Sequence, residues 1–376
     1  MAGFGLMAVV GCATMEPFDG LEYTRSEVRE RVGPELAGHV EIPYALDTRI
    51  EEFITGRISP TGSDRKKVDQ ILDLIFTGIG LEYHLQPTRD AVETFRTGRA
   101  NCLSFTHLFV GLGRSQRLNP FYVEVQDYQR WSYQDGSVVS RGHIVAGMYV
   151  DGNLATYDFL PYRPKAYRDF NIIDDLEAMA HHYNNLAAEA LIDGRLAEAE
   201  RHLTIAARLN PDFDKAINNL GVLHLRLGEP ERAIEIYEAA LPDHPAYVPI
   251  LSNLVNAYQR TGRVDEAAEV AVRLESLDHS NPFFFVSRGL EALAAGDTEG
   301  ALRYMRDALR IDTEIPEVHL GIAKVYLAMG RMGRAQHHVG RALRLDATHP
   351  EARRFARLFE SAPAPEEIVL DANDEG

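Results

Sequence analysis

The sequence feature that most constrains the fold is a 34-residue period in the second half of the chain. Glycine recurs five times at this spacing, and two further positions that are mostly alanine follow it with the same period. These positions are Gly194, Gly228, Gly262, Gly296 and Gly330; Ala199, Ala233, Ala267, Ala301 and Ala335; and Ala206, Ala240, Leu274, Ala308 and Ala342. A glycine turn between two apolar segments, with small residues where helices must approach, predicts a helix–turn–helix unit. Because one such unit cannot bury its apolar face alone, five in succession predict an all-α solenoid.

This pattern resembles that of the tetratricopeptide repeats. The resemblance implies five repeats and a capping helix over residues 179–360. It also implies a concave wall, lined by the first helix of each repeat, that binds a protein or peptide partner.

Asparagine recurs at the repeat period on that first helix, as Asn185, Asn219 and Asn253, and Lys215 precedes Asn219 by one turn. The resemblance implies that these side chains hold an extended peptide backbone or its terminal carboxylate. An asparagine amide suits this role because it both donates and accepts hydrogen bonds. The alternative is that these residues only cap helices or face solvent.

A second informative stretch, NCLSFTHLFV, places Cys102 at the start of an amphipathic helix. Unpaired backbone N–H groups and the helix dipole favour an anion at that position, and the thiolate is the reactive form of cysteine. Cys102 is therefore a candidate nucleophile. A nucleophile of this kind needs a base and a group that orients the base, and His143 and Asp158 are the candidates downstream.

The relation between His143 and Asp158 follows from a predicted β-hairpin. Residues 142–150 and 153–160 are typical of two strands, and the Asp-Gly dipeptide between them is a strong two-residue turn signal. Val150 then faces Asn153, so that His143 lies opposite Leu160 on the same face as Asp158. The two side chains become diagonal neighbours that can reach each other. A shift of one residue would put them on opposite faces.

The segment RANCLS at 99–104, a strand beginning near His143 and the segment YDFLP at 157–161 together resemble the bacterial transglutaminase-like superfamily. The resemblance implies a papain-like α+β catalytic domain over residues 48–165, with Cys102, His143 and Asp158 as a catalytic triad. Tyr83, His84 and Gln86 are upstream candidates for a donor to the oxyanion, and the resemblance favours Tyr83, although a tyrosine between helices is also typical of a core residue. Neither a cofactor nor a metal is expected, because no further ligands occur at zinc spacing.

The N-terminal segment, residues 1–12, is apolar and ends in VVGC, which resembles a bacterial lipoprotein box. That resemblance implies lipidation of Cys12 and a periplasm-facing protein at the outer membrane, attached to the membrane through the lipid alone. No basic residue precedes Arg25, so either the true start lies upstream of Met1 or the segment is a fortuitous apolar tail. A disulfide between Cys12 and Cys102 is a further alternative.

Composition and charge complete the predicted organisation. The formal net charge of −17 argues against nucleic-acid binding, which requires basic patches. Residues 13–47 are predicted to be a linker, residues 166–178 a hinge, and the acidic, proline-containing residues 361–376 a disordered tail.

Two classes of function are consistent with this organisation. In the first, the chain is a cell-envelope thiol acyl-transfer enzyme, either a peptidase or amidase or a transglutaminase, whose repeats recruit a protein substrate or partner. In the second, it is a catalytically silent envelope lipoprotein that acts as a scaffold and binds peptides through the repeat groove. The intact Cys-His-Asp set favours the enzyme.

Overall fold

The computed structural model describes residues 20–134, 137–159, 170–277, 282–347 and 349–360. Cys12 with the rest of segment 1–12, Leu160, and the predicted tail 361–376 lie outside the described residues. Among the residues described, no helix is both long and apolar enough to cross a bilayer.

The described part of the N-terminal half contains six helices and a π-helical turn. They are α1 (Gly20–Val32), α2 (Pro34–Ala37), α3 (Thr48–Ile54), α4 (Asp64–Asp73), the π-helical turn Leu74–Gly78, α5 (Ala91–Thr97) and α6 (Cys102–Ser115). Side chains cap several of their first turns: Ser63 accepts from the backbone of Lys66 and begins α4, as its sequence pattern predicts. Helix α6 is buried from Cys102 to Gly113, so it forms the centre of this half.

Six strands accompany these helices within the same described residues. They are β1 (Glu82–Tyr83), β2 (Arg99–Ala100), β3 (Phe121–Gln134), β4 (Ser137–Val150), β5 (Asn153–Tyr157) and β6 (Phe170–Ile173). Strands β1 and β2 form a short parallel pair, and the other four form an antiparallel sheet in the order β5-β4-β3-β6. Val150 pairs with Asn153 and Ala146 with Tyr157, so the register predicted for the hairpin is confirmed.

Three predictions about connecting segments are wrong. The described part of the predicted linker contains α1 and α2; Val28 and Val32 are buried against the repeats, and a proline is tolerated in the first turn of α2. The described part of the predicted hinge contains β6, which pairs with β3, and the start of the next helix. Residues 127–141, predicted as a loop, belong to β3 and β4 except for 135 and 136, which are not described.

The C-terminal half is the predicted solenoid of five helix pairs and a final helix. The pairs are α7 (Asp175–Ile192) with α8 (Leu196–Leu209), α9 (Asp214–Leu227) with α10 (Pro230–Ala240), α11 (Val248–Arg260) with α12 (Val264–Glu275), α13 (Pro282–Ala294) with α14 (Thr298–Ile311), and α15 (Pro316–Ala328) with α16 (Met332–Leu345), followed by α17 (Pro350–Glu360). The periodic glycines lie between the helices of each pair with φ from 72° to 84°, a left-handed conformation that favours glycine.

The two halves share a continuous apolar core. Leu103 of α6 and Ile144 of β4 pack in one cluster with Met179 of α7 and Ile205 of α8. The β3–β4 hairpin continues from there along the solenoid, with β4 against the first helices of repeats one to three and β3 against α13. The hairpin therefore lies in the concave groove of the repeats.

Candidate functional site

Cys102 is the first residue of α6, and Asn101 caps the helix. The Asn101 Oδ1 atom accepts from the Ser104 backbone N–H at 2.9 Å, which satisfies one donor of the first turn. The Thr106 hydroxyl donates to the Cys102 carbonyl at 2.8 Å and lies 3.3 Å from the Ile144 carbonyl. These contacts hold the start of α6 against β4, beside His143.

The structure brings Cys102, His143 and Asp158 together. His143 Nε2 lies 3.1 Å from Asp158 Oδ2, and one potential ligand atom from each of the three residues lies within 4.8 Å of the other two. Cys102 is 8% exposed and His143 4% exposed, so the group is largely removed from water. A carboxylate that contacts one side of an imidazole beside a thiol is the arrangement that cysteine-based acyl transfer uses.

The same three atoms are close enough to hold a metal ion, and they form the one group of three such residues in the part of the chain that the structure describes. Thiolate, imidazole and carboxylate are all donors that Zn²⁺ accepts. The prediction that the site works without a metal stays a prediction.

A cluster of aromatic side chains is centred on Phe159, whose backbone contacts the thiol. Cys102 Sγ donates to the Phe159 carbonyl at 3.7 Å, and the Phe159 ring stacks on Phe105 at 5.3 Å. Phe76 and Tyr83 complete this wall, at 5.6 Å and 5.9 Å from the Phe159 ring. Tyr83 lies on β1 directly opposite Ala100 of β2, two residues before Cys102. The structure thus places Tyr83 near the site, and its role as an oxyanion donor stays a prediction.

The predicted peptide-binding residues are buried and, in part, occupied by this chain. Asn253 accepts from the Val138 backbone N–H at 2.7 Å and donates to the Val138 carbonyl at 2.8 Å. Asn219 donates to Asn184 at 2.8 Å within the repeats, while Asn185 is buried with its Oδ1 lacking a hydrogen-bond partner among the described residues. Of the three predicted asparagines, Asn253 is thus shown to bind an extended backbone, and that backbone is β4 of the same chain. Binding of an external peptide by these residues stays a prediction.

Lys215 binds a carboxylate, but the carboxylate is a side chain of the same molecule. Its Nζ lies 2.8 Å from Glu124 of β3 and 3.3 Å from Asp214, and His181 Nε2 is 3.3 Å from Glu124. Burial opposes ionisation of Glu124, but His181 and Lys215 outweigh it and hold the pKa of this carboxyl well below its usual range. Burial likewise disfavours the charged Lys215, while Asp214 and Glu124 raise its pKa.

Sequence reasoning missed two of the asparagines that connect the groove. Asn218 donates to the Val138 carbonyl at 2.8 Å and accepts from Asn253 at 2.8 Å, and Asn184 accepts from Asn219. The available signal was the doubling of asparagine at 184–185 and 218–219. Glu124 carried no such signal, because an acidic residue on the polar face of a strand is ordinary.

Comparison with known proteins places the repeats in a family. One family model described as tetratricopeptide repeat matches residues 184–248, and a second one matches residues 226–282 and 292–358. The photosystem I assembly protein Ycf3 of Prochlorococcus marinus (strain NATL2A) is 30% identical over 122 residues, which are 27% of this chain and 70% of that protein. The chain is a tetratricopeptide repeat protein.

Other matches also involve only part of the chain. The cellulose synthase operon protein C of Pseudomonas fluorescens (strain SBW25) is 27% identical over 42% of this chain, which spans 13% of that protein. The photosystem I assembly protein Ycf3 of Synechococcus sp. (strain CC9605) is 32% identical over 93 residues, and this chain spans 53% of that protein. A solved tetratricopeptide repeat protein of Thermus thermophilus aligns with 48% of this chain and 97% of its own at a TM-score of 0.39 and 23% identity. Repeats of this kind stack into solenoids with an extended concave surface.

Proposed function

We propose that the chain is a thiol acyl-transfer enzyme whose repeats contact a protein partner. The single observation that carries this proposal is the convergence of the Cys102, His143 and Asp158 side chains within 4.8 Å at the start of a helix. Independent segments of the chain supply the three groups: a helix, a strand and the residue that follows the next strand. Such a chemical set, in a buried position, is the general signature of covalent catalysis by cysteine.

The proposed reaction is acyl transfer through a thioester. Cys102 gives its proton to His143, and its sulfur forms a bond to the carbonyl carbon of a carboxamide or peptide. The carbon–nitrogen bond then breaks, and the imidazolium returns the proton to the leaving amine. Water or a second amine, deprotonated by His143, attacks the thioester and releases the thiol; water yields hydrolysis and an amine yields transamidation. Asp158 orients the imidazole and stabilises its cationic form.

The first prediction concerns the reactivity of Cys102. In a Cys12→Ala background Cys102 is the one remaining cysteine, so mass spectrometry after iodoacetamide treatment reports on it alone. We expect labelling at pH 7 to slow about tenfold or more in His143→Ala, because the thiolate loses its base. The exposed His39→Ala serves as the matched control and should label like the parent. Equal, slow labelling of the parent and His143→Ala would contradict the enzymatic proposal.

A second candidate function is a binding scaffold without catalysis. The matching family models lie in the tetratricopeptide repeats, and the matching proteins cover less than half of the chain. These matches favour the scaffold. The contact between Cys102 and the Phe159 carbonyl is also one that a silent thiol can make. The labelling experiment separates the two, since a scaffold needs no activated sulfur. Attachment to the cell envelope through Cys12 remains part of either proposal.

A further inference from the structure

A buried carboxylate of the first repeat reaches the loop that supports the start of the Cys102 helix. Glu189 belongs to α7, and its carboxylate accepts from the Thr88 backbone N–H at 2.9 and 3.2 Å and from the Thr88 hydroxyl at 2.9 Å. Thr88 is 4% exposed and Glu189 7% exposed, so water has little access to replace these contacts. Neither Thr88 nor Glu189 takes part in the proposed acyl-transfer reaction.

The hydrogen bonds from Glu189 to the start of α6 run in a defined direction. The Thr88 hydroxyl donates to the Glu189 carboxylate, so the single proton of that hydroxyl points to Glu189. The oxygen of that hydroxyl is then left to accept, and the Asn101 amide donates to it at 2.9 Å. That donation, together with a longer one from the same amide to the Leu85 carbonyl at 3.4 Å, fixes which end of the Asn101 amide is the oxygen. This oxygen accepts from the Ser104 backbone N–H at 2.9 Å.

Ser104 also stabilises Asn101, the residue that caps α6. The Ser104 hydroxyl donates to Asn101 Oδ1 at 2.9 Å and accepts from the Arg89 backbone N–H at 2.8 Å. Thr88 and Arg89 therefore bind to the first turn of α6 from one loop, and Glu189 anchors that loop to the repeats. Thr88, Asn101 and Ser104 are all buried, so a substitution that removes the Glu189 carboxylate leaves the Thr88 N–H and hydroxyl without this acceptor in a position poorly reached by water.

We infer that Glu189 is a positioning residue for Cys102: through Thr88 and Asn101 it sets where the thiol stands relative to His143, so that the repeat domain completes the site. The inference rests on the proposed thiol chemistry, and it assigns to the first repeat a role beyond contact with a partner. Glu189 touches none of the reacting atoms. Its effect reaches the sulfur through the cap of the helix on which Cys102 lies.

The test is the pH profile of Cys102 labelling by iodoacetamide in the full chain carrying Cys12→Ala. In Glu189→Leu we expect the labelling rate at pH 7 to fall about tenfold, because a thiol displaced from His143 is ionised less often. At a pH where the thiol ionises unaided, the rate should equal that of the parent. Simple loosening of the fold would instead speed labelling at every pH. The exposed Glu200→Leu on α8 is the matched control and should keep the parent profile.

The outcomes separate this inference from the proposed function. If the parent and His143→Ala label alike, the proposed chemistry fails, and the inference falls with it. If those two differ but Glu189→Leu keeps the parent profile, the chemistry stands and the inference is overturned. Should Glu189→Leu fail to fold, Thr88→Val decides, because it removes the hydroxyl that links Glu189 to Asn101 at nearly constant volume. A slowed rate at pH 7 supports the inference, and a parent-like profile overturns it.

Discussion

His182 of α7 lies where the first repeat meets the N-terminal half. The centre of its ring is 5.1 Å from that of His107 and 5.4 Å from that of Tyr183. Burial disfavours the imidazolium, and His202 adds repulsion, so the pKa of His182 falls to about 3. Burial and His182 likewise hold the pKa of His107 well below its usual range. Both rings are therefore neutral at physiological pH in the folded chain.

This arrangement predicts a loss of stability in mild acid. The unfolded chain binds a proton at His182 as the pH falls through about 6.5, whereas the folded chain does so only near pH 3, so acid favours unfolding between these values. By pH 5 the free energy of unfolding should drop by about 2 kcal/mol from this residue alone. Urea denaturation of His182→Gln should show a correspondingly smaller difference between pH 7.5 and pH 5. The exposed His39→Gln is the control and should lose as much stability between pH 7.5 and pH 5 as the parent. If His182→Gln also loses as much as the parent, the assignment to His182 is contradicted.

Among elements, the β3–β4 hairpin most affects how the molecule can work. Its strand β4 presents Val138 to Asn218 and Asn253 of the repeats, and its strand β3 presents Glu124 to Lys215. The amides bind both the N–H and the carbonyl of Val138, as they would for an external peptide in an extended conformation. An external peptide that used these positions would first have to displace the hairpin.

The docking of the hairpin can be measured by substitution of Asn253. In Asn253→Ala the Val138 N–H loses its partner while it stays buried, and its carbonyl loses one of two donors. The free energy of unfolding should fall by about 2–3 kcal/mol, the cost of buried polar groups left unsatisfied. The exposed Asn119→Ala is the control, with a change of about 0.5 kcal/mol or less expected for a surface substitution. Equal stabilities of the two variants by urea denaturation would show that the amide contacts contribute little.

At the scale of the whole molecule, the two halves are joined too extensively to behave as separate domains on a flexible hinge. One apolar cluster contains residues of α1, α6, β3 and β4 together with residues of α7, α8 and α9. The ion group of Glu124, His181 and Lys215 and the contact of Glu189 with Thr88 add polar links across the same boundary. The last two repeats, by comparison, pack mainly on each other and on α17.

Hydrogen exchange should report this division. We expect the amides of β4 and of α7 and α9 to open together as urea rises, because neither group can lose its partner without exposing the shared core. The amides of α16 and α17 should open at a lower free energy, since a solenoid can fray from its end. Opening of β4 while α9 remains protected would show that the hairpin leaves the groove without unfolding the repeats.

The sequence alone determined the parts of this protein that depend on short-range spacing. The 34-residue period predicted the five helix pairs and the position of the glycine turn within each pair, because a repeat contacts mainly its neighbours. The Asp-Gly turn predicted the register between β4 and β5, because pairing next to a two-residue turn leaves no freedom. That register in turn anticipated the contact of His143 with Asp158.

Only the tertiary structure decided which groups fill the concave groove and what anchors the start of α6. Asn253 lies 115 residues from Val138, and Glu189 lies 101 residues from Thr88. Residues 127–141 gave no local strand pattern, yet Arg130 to Gln134 pair with Ser137 to Arg141, and Asn218 and Asn253 of the repeats bind the backbone of Val138. An asparagine that binds a foreign peptide and one that binds its own chain have the same sequence signature, since the amide offers the same donor and acceptor in both cases.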